Sequence, residues 1–441
     1  MIFEGKWQYV IYALAAFLPF YISSLSIIYQ ATELRELVTM VQLGKDLIII
    51  LSIVVFVTLE KKIFEYPFHL RAPDILFMGL LALAFLYLLL PLGESSFSAK
   101  AVYFKNMLMP GLVYFVGRNT DFKDFEVKRL FKIIFFIAIA AFGFNILEGF
   151  LDTHIQTYTG YALFNQGVYD IVPTGNFDLS WTFETQAITK RFGSFFSDPL
   201  ELASSMMLGF SAGLIWFLTS KKEEAFPYLI VMLCSMGSLF YSSSRAAFAA
   251  FFVMLFFLAI VFRLYRLLII GFLLFLSFVV FIVFFAPDDI YFFVIDTLTF
   301  ENASSAGHVV EWLIAADSIV ANPLGIGLAM SGNLGSVTDE VRVGGENQFL
   351  IYGVQLGVLG MLLYILLLMF AIFKSLKVFR TTNNIMTARI AFTAAAVKVG
   401  LLLPLFTANA ELYTYVSWIS WWMVGYVMNH YEQKDESYVE A

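Results

Sequence analysis

Long apolar runs recur from one end of the chain to the other, separated by short polar stretches. The runs are continuous, without the every-second-residue alternation that barrel strands need. Runs of about 20 residues suffice to cross a bilayer as helices. Twelve spans are predicted, at roughly 7–29, 43–59, 73–92, 101–117, 131–150, 199–219, 226–242, 246–262, 264–286, 348–373, 387–407 and 412–429. The fold class expected is therefore all-α: one polytopic membrane bundle of about 12 transmembrane helices over residues 1–441. The first run follows Glu4 and is too long for the apolar core of a signal peptide, so it is taken as a span. The fourth carries Lys105 and Asn106 and is the least apolar of the set.

Two stretches lie outside this pattern, the long loops 151–197 and 287–346. The first interleaves aromatics, Trp181 among them, with carboxylates and amides. That mixture suits a sugar surface and suits an interfacial aromatic belt equally well. In the second, Glu311, Trp312 and Ala315 recur at helical spacing, which predicts a short helix over His308–Val320 stopped by Pro323. The "GIG" that follows lacks the Lys-Ser/Thr ending of a phosphate-binding loop and the strand before it.

Composition agrees with the spans. Of 441 residues 60% are hydrophobic and 14% charged, against about a quarter charged in soluble domains. The net charge of −7 is spread over loops and leaves no nucleic-acid footprint. The single cysteine, Cys234, excludes an intramolecular disulfide. The four histidines (His69, His154, His308, His430) show no metal-ligand spacing, so neither a metal nor a cofactor is expected.

The basic residues set an orientation. With both termini in the cytoplasm, eighteen of the 27 fall inside, including the dense Arg118, Lys123, Lys128, Arg129 and Lys132 cluster. Both long loops then lie outside. Nine basic residues break the rule: Arg35, Lys45, Lys100, Lys105, Lys190, Arg191, Arg245, Arg342 and Lys398. Snorkelling to headgroups accounts for Arg35, Lys100 and Lys105, and Lys45 has Asp46 beside it. Arg245 follows "YSSS" in a tight turn between spans, and Arg191 closes the first long loop before "FGSFFSDP". Guanidinium forks of this kind suit phosphate; the alternative is pairing with Asp198 or Glu201. At 343–353, "VGGENQFLIYG" sets Glu346 at the threshold of a span. Its neighbour Asn347 is read as a helix cap or a sugar contact.

Four motifs occur in order: "RFGSFFSDPLELASSM", "YSSSRAAFAAF", "GHVVEWLIAADSIVANPLGIGLAMSG" and "ENQFLIYGVQLGVLG". Together, over about residues 185–370, they resemble the O-antigen polymerase and O-antigen ligase superfamily of bacterial surface-polysaccharide enzymes. The resemblance implies a metal-independent, inverting glycosyltransferase of the GT-C class in the bacterial inner membrane, with its active site on the periplasmic side. The implied donor is a polyprenyl-diphosphate-linked oligosaccharide and the implied acceptor a growing glycan. Membrane lipids and a chain-length regulator protein are the further partners implied. Carried over by motif, Arg191 and Arg245 bind the donor diphosphate, and His308, at a position often basic in relatives, joins them; Arg342, Asn347 and Trp181 are further candidate substrate contacts. Glu346 stands where the family's ligases have histidine, which favours a polymerase over a lipid A-core ligase. Glu346 is the expected catalytic residue, as base or as the group that orients the acceptor hydroxyl. A transporter or flippase of lipid-linked glycan is the rival from another class. Against it, polar residues gather at span ends rather than at the midplane, Lys398 excepted.

Overall fold

The computed structural model describes residues 6–59, 70–185, 188–287, 291, 294–295, 299, 303–332 and 342–436. Lys61, Lys62 and His69 lie outside the described residues. The described chain is helical, and its one β-type pairing is an isolated bridge between Glu184 and Lys190.

Each expected span falls on helix, and all but the first on a single one. The first is two helices, α1 (Val10–Phe17) and α2 (Tyr21–Thr32), with Pro19 in the 3-10 turn between them. Then come α3 (Arg35–Leu59), α4 (Ala72–Leu89), α5 (Phe97–Arg118) and α6 (Asp124–Leu151). The first long loop holds two short helices, α7 (Ile155–Tyr158) and α8 (Tyr161–Tyr169). After it run α9 (Pro199–Thr219), α10 (Lys222–Tyr241), α11 (Arg245–Val261) and α12 (Tyr265–Phe284). The helix of the second loop is α13 (Ala303–Ala321), longer than expected by about a turn at its start. The chain ends in α14 (Gln348–Thr381), α15 (Ile385–Thr407) and α16 (Thr414–Glu436). Among the described residues, seven spans are long and apolar enough to cross a membrane by length and composition, and α10, α11 and α12 contain shorter apolar helices. The protein is an integral membrane helical bundle.

Helix α16 runs through the centre with Trp418, Trp421 and Trp422 all buried. It packs on α5 through reciprocal glycines. A Cβ on Gly425 would run into the Tyr114 carbonyl, and one on Gly117 into that of Trp422. Gly425→Leu is therefore expected to destabilise the bundle by about 1–3 kcal/mol or more. A lowered unfolding midpoint and a smaller monodisperse fraction in detergent would show it.

Helix α14 breaks at Gly357 (φ 74°, ψ −177°), a conformation closed to other residues. The glycine-rich turn after α13 docks into the break. Val358 N donates to Pro323 O (2.9 Å), Ile326 N to Val354 O (2.8 Å) and Gly327 N to Gln355 O (3.2 Å). The Gln355 side chain accepts from Ala329 N (2.7 Å) and donates to Ser331 O (2.9 Å). "GIG" thus serves a close backbone approach, not a phosphate.

Most of the exceptional basic residues find partners. Asp46 sits between Lys45 (3.1 Å) and Lys105 (2.9 Å), tying α3 to α5. That pairing lets the fourth span carry Lys105. Arg35 pairs with Asp170 of the first loop (2.8 Å), and Lys190 with Asp152 (2.7 Å). Lys100 Nζ donates to the carbonyls of Leu90 (3.2 Å) and Leu92 (2.5 Å). Lys398 lies buried with its ammonium 3.6 Å from the centre of the Trp421 ring, near Glu411.

Candidate functional site

The site assembles at the end of the bundle that carries the two long loops. Its first wall is the segment from Arg191 to Asp198. Arg191 N donates to Phe183 O (2.9 Å) beside the Glu184–Lys190 bridge, and Phe192 N donates to Tyr241 O (3.1 Å). Two side chains clamp the "FGSFFSDP" turn. Glu148, at the end of α6, accepts from Ser194 N (2.9 Å), Ile155 N (3.0 Å) and Asn145 Nδ2 (3.1 Å). Gln156 Nε2 donates to Ser194 O and Phe196 O (both 2.8 Å). Asp198 then caps α9, accepting from Leu200 N (2.7 Å) and Glu201 N (2.8 Å). Glu148→Ala strands several buried donors at about 1–3 kcal/mol each. A large drop in unfolding midpoint, with the Arg191 loop becoming protease-sensitive, is the expected outcome.

The second wall is the turn between α10 and α11. Ser243 takes a left-handed conformation (φ 47°), and Ser244 caps α11 by accepting from Ala247 N (3.3 Å). This places Arg245 at the first position of α11, exposed, at the positive end of the helix. Arg191 reaches the same turn, its Nε donating to Ser242 O (3.0 Å). The two guanidiniums are neighbours. Burial, and with it the nearby charge of Arg245, lowers the Arg191 pKa, while Asp198 and Tyr413 pull the other way. Burial raises the Asp198 pKa against that same arginine. Among the described residues, no carboxylate comes within ion-pair distance of Arg191 or Arg245. Arginines at the opposite end of the bundle differ. Arg118 pairs with Asp74 (3.4 Å), and Arg389 donates to Thr219 Oγ1 (2.8 Å) with its guanidinium over the Trp216 ring.

The third wall is the threshold of α14. Gly344 (φ 61°) lies so close to α13 that a Cβ would press on Ala315 and the Glu311 carbonyl. This approach brings Glu346 against His308, whose Nδ1 contacts a Glu346 carboxylate oxygen. His308 stacks one turn from Trp312 (centroids 6.1 Å), and Trp312 packs on Phe406 of α15 (4.6 Å). His308 is thus placed with Glu346. Asn347 is the N-cap of α14 and is 2% exposed; its Oδ1 accepts from Phe349 N (3.0 Å) and Leu350 N (3.2 Å). Arg342 is partly buried and already engaged in an interaction of its own. Trp181 stands 54% exposed on a 3-10 turn of the first loop.

Sequence reasoning missed Tyr413. It ends the turn between α15 and α16 and lies within charge reach of Asp198, Glu201, Arg191 and Glu346. A lone tyrosine at a span threshold is ordinary for membrane proteins, so no sequence signal marked it. An apolar cavity of about 610 Å³ adjoins this site, lined by Trp312, Phe349, Leu368, Leu402 and Phe406 among others, with Asn347 at its border.

The bundle thus carries an arginine pair without an ion-paired carboxylate among the described residues, a histidine–carboxylate contact and an apolar cavity. Residues 229–365 match the family model described as O-antigen ligase. The match spans Arg245, His308, Arg342, Glu346 and Asn347, and it bears out the resemblance to the O-antigen polymerase and ligase superfamily. Members of that family are glycosyltransferase-like enzymes of the ligase or polymerase type. No curated protein matches the chain.

Proposed function

We propose that this protein is a polysaccharide polymerase that joins polyprenyl-diphosphate-linked repeat units at the outer face of the bacterial inner membrane, without metal and with inversion. The observation that carries the reading is the arginine pair. Two adjacent guanidiniums, one of them buried, without an ion-paired carboxylate among the described residues form a costly arrangement unless an anion completes it. A diphosphate supplies the charge and the geometry. The apolar cavity beside the site offers room for part of a polyprenyl chain. Positive charge then meets the leaving diphosphate as its own charge grows.

The His308–Glu346 pair supplies the acceptor side. With Nδ1 turned to the carboxylate, His308 keeps Nε2 for the acceptor hydroxyl. Glu346 orients the imidazole and stabilises its charged form, the division of labour of a histidine–carboxylate pair. A family ligase has its histidine at the α14 threshold; here the imidazole comes from α13 and the threshold holds its carboxylate partner. This arrangement favours polymerase over lipid A-core ligase.

The test is purified protein in detergent with a synthetic polyprenyl-diphosphate oligosaccharide. Lengthened glycan with stoichiometric release of polyprenyl diphosphate is the expected result. Transfer only onto an added lipid A core would make it a ligase. Passage of the intact lipid-linked glycan across vesicles, without bond cleavage, would make it a transporter.

A further inference from the structure

The far end of α14 carries a group of cations that the transfer reaction does not use. An α-helix rises about 1.5 Å per residue, so Lys374 lies roughly 40 Å along α14 from the Glu346 threshold. A hydrocarbon core is about 30 Å thick, so the two ends of α14 reach opposite membrane faces.

Three cations converge there on one ring. Lys374 Nζ and Lys377 Nζ both donate to the Tyr431 hydroxyl of α16 (3.1 and 2.7 Å). The same ammoniums sit 4.5 and 4.8 Å from the centre of the Tyr431 ring. The Arg71 guanidinium, at the threshold of α4, lies 5.3 Å from that centre. The ring face and one hydroxyl offset only part of the repulsion among three like charges. A tyrosine oxygen has two lone pairs, and here both meet ammoniums, so the Tyr431 O–H is left to donate to an acceptor. Arg380 adds a fourth cation one turn past Lys377, exposed to the surroundings. Among the described residues, no carboxylate comes within ion-pair distance of Lys374 or Arg380.

The exposed face of α14 leads straight to this group. Leu362, Leu366 and Phe373 are exposed and recur at helical spacing along one face. Lys377 and then Arg380 continue the same face, both exposed. The face is thus apolar along the hydrocarbon core and cationic where the helix leaves it. That is the polarity of a phospholipid laid alongside, acyl chain first and phosphate last.

We propose that this end of the bundle binds the headgroup of an anionic phospholipid, with its phosphate among Lys374, Lys377, Arg380 and Arg71 beside Tyr431 and an acyl chain along Leu362, Leu366 and Phe373. The phosphate accepts from the ammoniums and from the Tyr431 hydroxyl. The apolar approach is what favours a lipid over a soluble anion. On the orientation expected from the basic residues, the lipid belongs to the cytoplasmic leaflet, where basic pockets between spans take such headgroups.

The experiment uses full-length protein in neutral detergent, with phosphatidylglycerol, phosphatidylcholine or glycerol phosphate in separate arms. The readouts are the unfolding midpoint and the lipid retained in native mass spectrometry. Wild type is expected to gain about 2–4 °C from phosphatidylglycerol and to retain it, and to gain little from the other two. Lys374→Gln/Lys377→Gln, and Arg380→Gln by itself, are expected to hold phosphatidylglycerol several-fold more weakly. Lys221→Gln/Lys222→Gln removes the same charge from an exposed turn before α10, at the same end of the bundle, and is expected to behave as wild type. Equal gains from phosphatidylglycerol and phosphatidylcholine would overturn the proposal. So would an equal gain from glycerol phosphate, which would make the ligand a soluble anion, or an equal loss in the Lys221/Lys222 control. If the Lys374/Lys377 variant does not fold, Arg380→Gln decides, and undiminished retention there overturns the site.

Discussion

Arg245→Ala should lower kcat/KM for the lipid-linked donor by about 10²–10³-fold while leaving the fold intact. The fold is spared because Arg245 is exposed at the start of α11 and Ser244, not Arg245, caps that helix. The catalytic loss follows because one of the two guanidiniums proposed to hold the diphosphate is gone. Lysine at this position restores a charge but not a planar fork, so Arg245→Lys should recover part of the loss. Arg191 makes a less clean test. Its side chain also donates to Ser242 O, so truncation disturbs the α10–α11 turn as well as the anion site. Steady-state rates with a defined donor, beside unfolding midpoints for each variant, separate the two effects. Wild-type kinetics for Arg245→Ala would remove the arginine pair from the mechanism.

The second large effect is expected at His308. If its imidazole takes the acceptor proton, His308→Ala should cost about 10²–10⁴-fold in kcat with little change in donor affinity. Glu346→Gln keeps a group that can still meet the imidazole but removes the charge that stabilises its protonated form. A smaller loss than at His308 is therefore expected. The order of the two losses is diagnostic. If Glu346→Gln is the more damaging, the carboxylate itself is the base and His308 serves to hold it. Single-turnover rates with saturating donor give the comparison directly.

The fold was legible because continuous apolar runs have one solution in a bilayer, and each run became helical. Its irregularities were less so. The break at Pro19 and the extension of α3 back to Arg35, where Arg35 pairs with Asp170, are features that apolar periodicity does not register. The break at Gly357 depends on a turn some thirty residues earlier docking into it. At the site, Arg191 and Arg245 stood out because guanidiniums at span ends need a reason. Their neighbourhood on the Ser242 turn is a tertiary fact. His308 and Glu346 were each legible, but their contact was not: it arises from the close approach of Gly344 to α13.

The central claim is that the arginine pair and the His308–Glu346 pair serve one transfer reaction on a polyprenyl-diphosphate glycan. The most direct test follows polyprenyl diphosphate and glycan length together in one reaction with purified protein, for wild type and for Arg245→Ala. The account predicts one diphosphate released per glycosidic bond formed in wild type, and both signals falling together by about 10²-fold or more in the variant. Diphosphate release without bond formation, or equal progress curves for the two proteins, would contradict it.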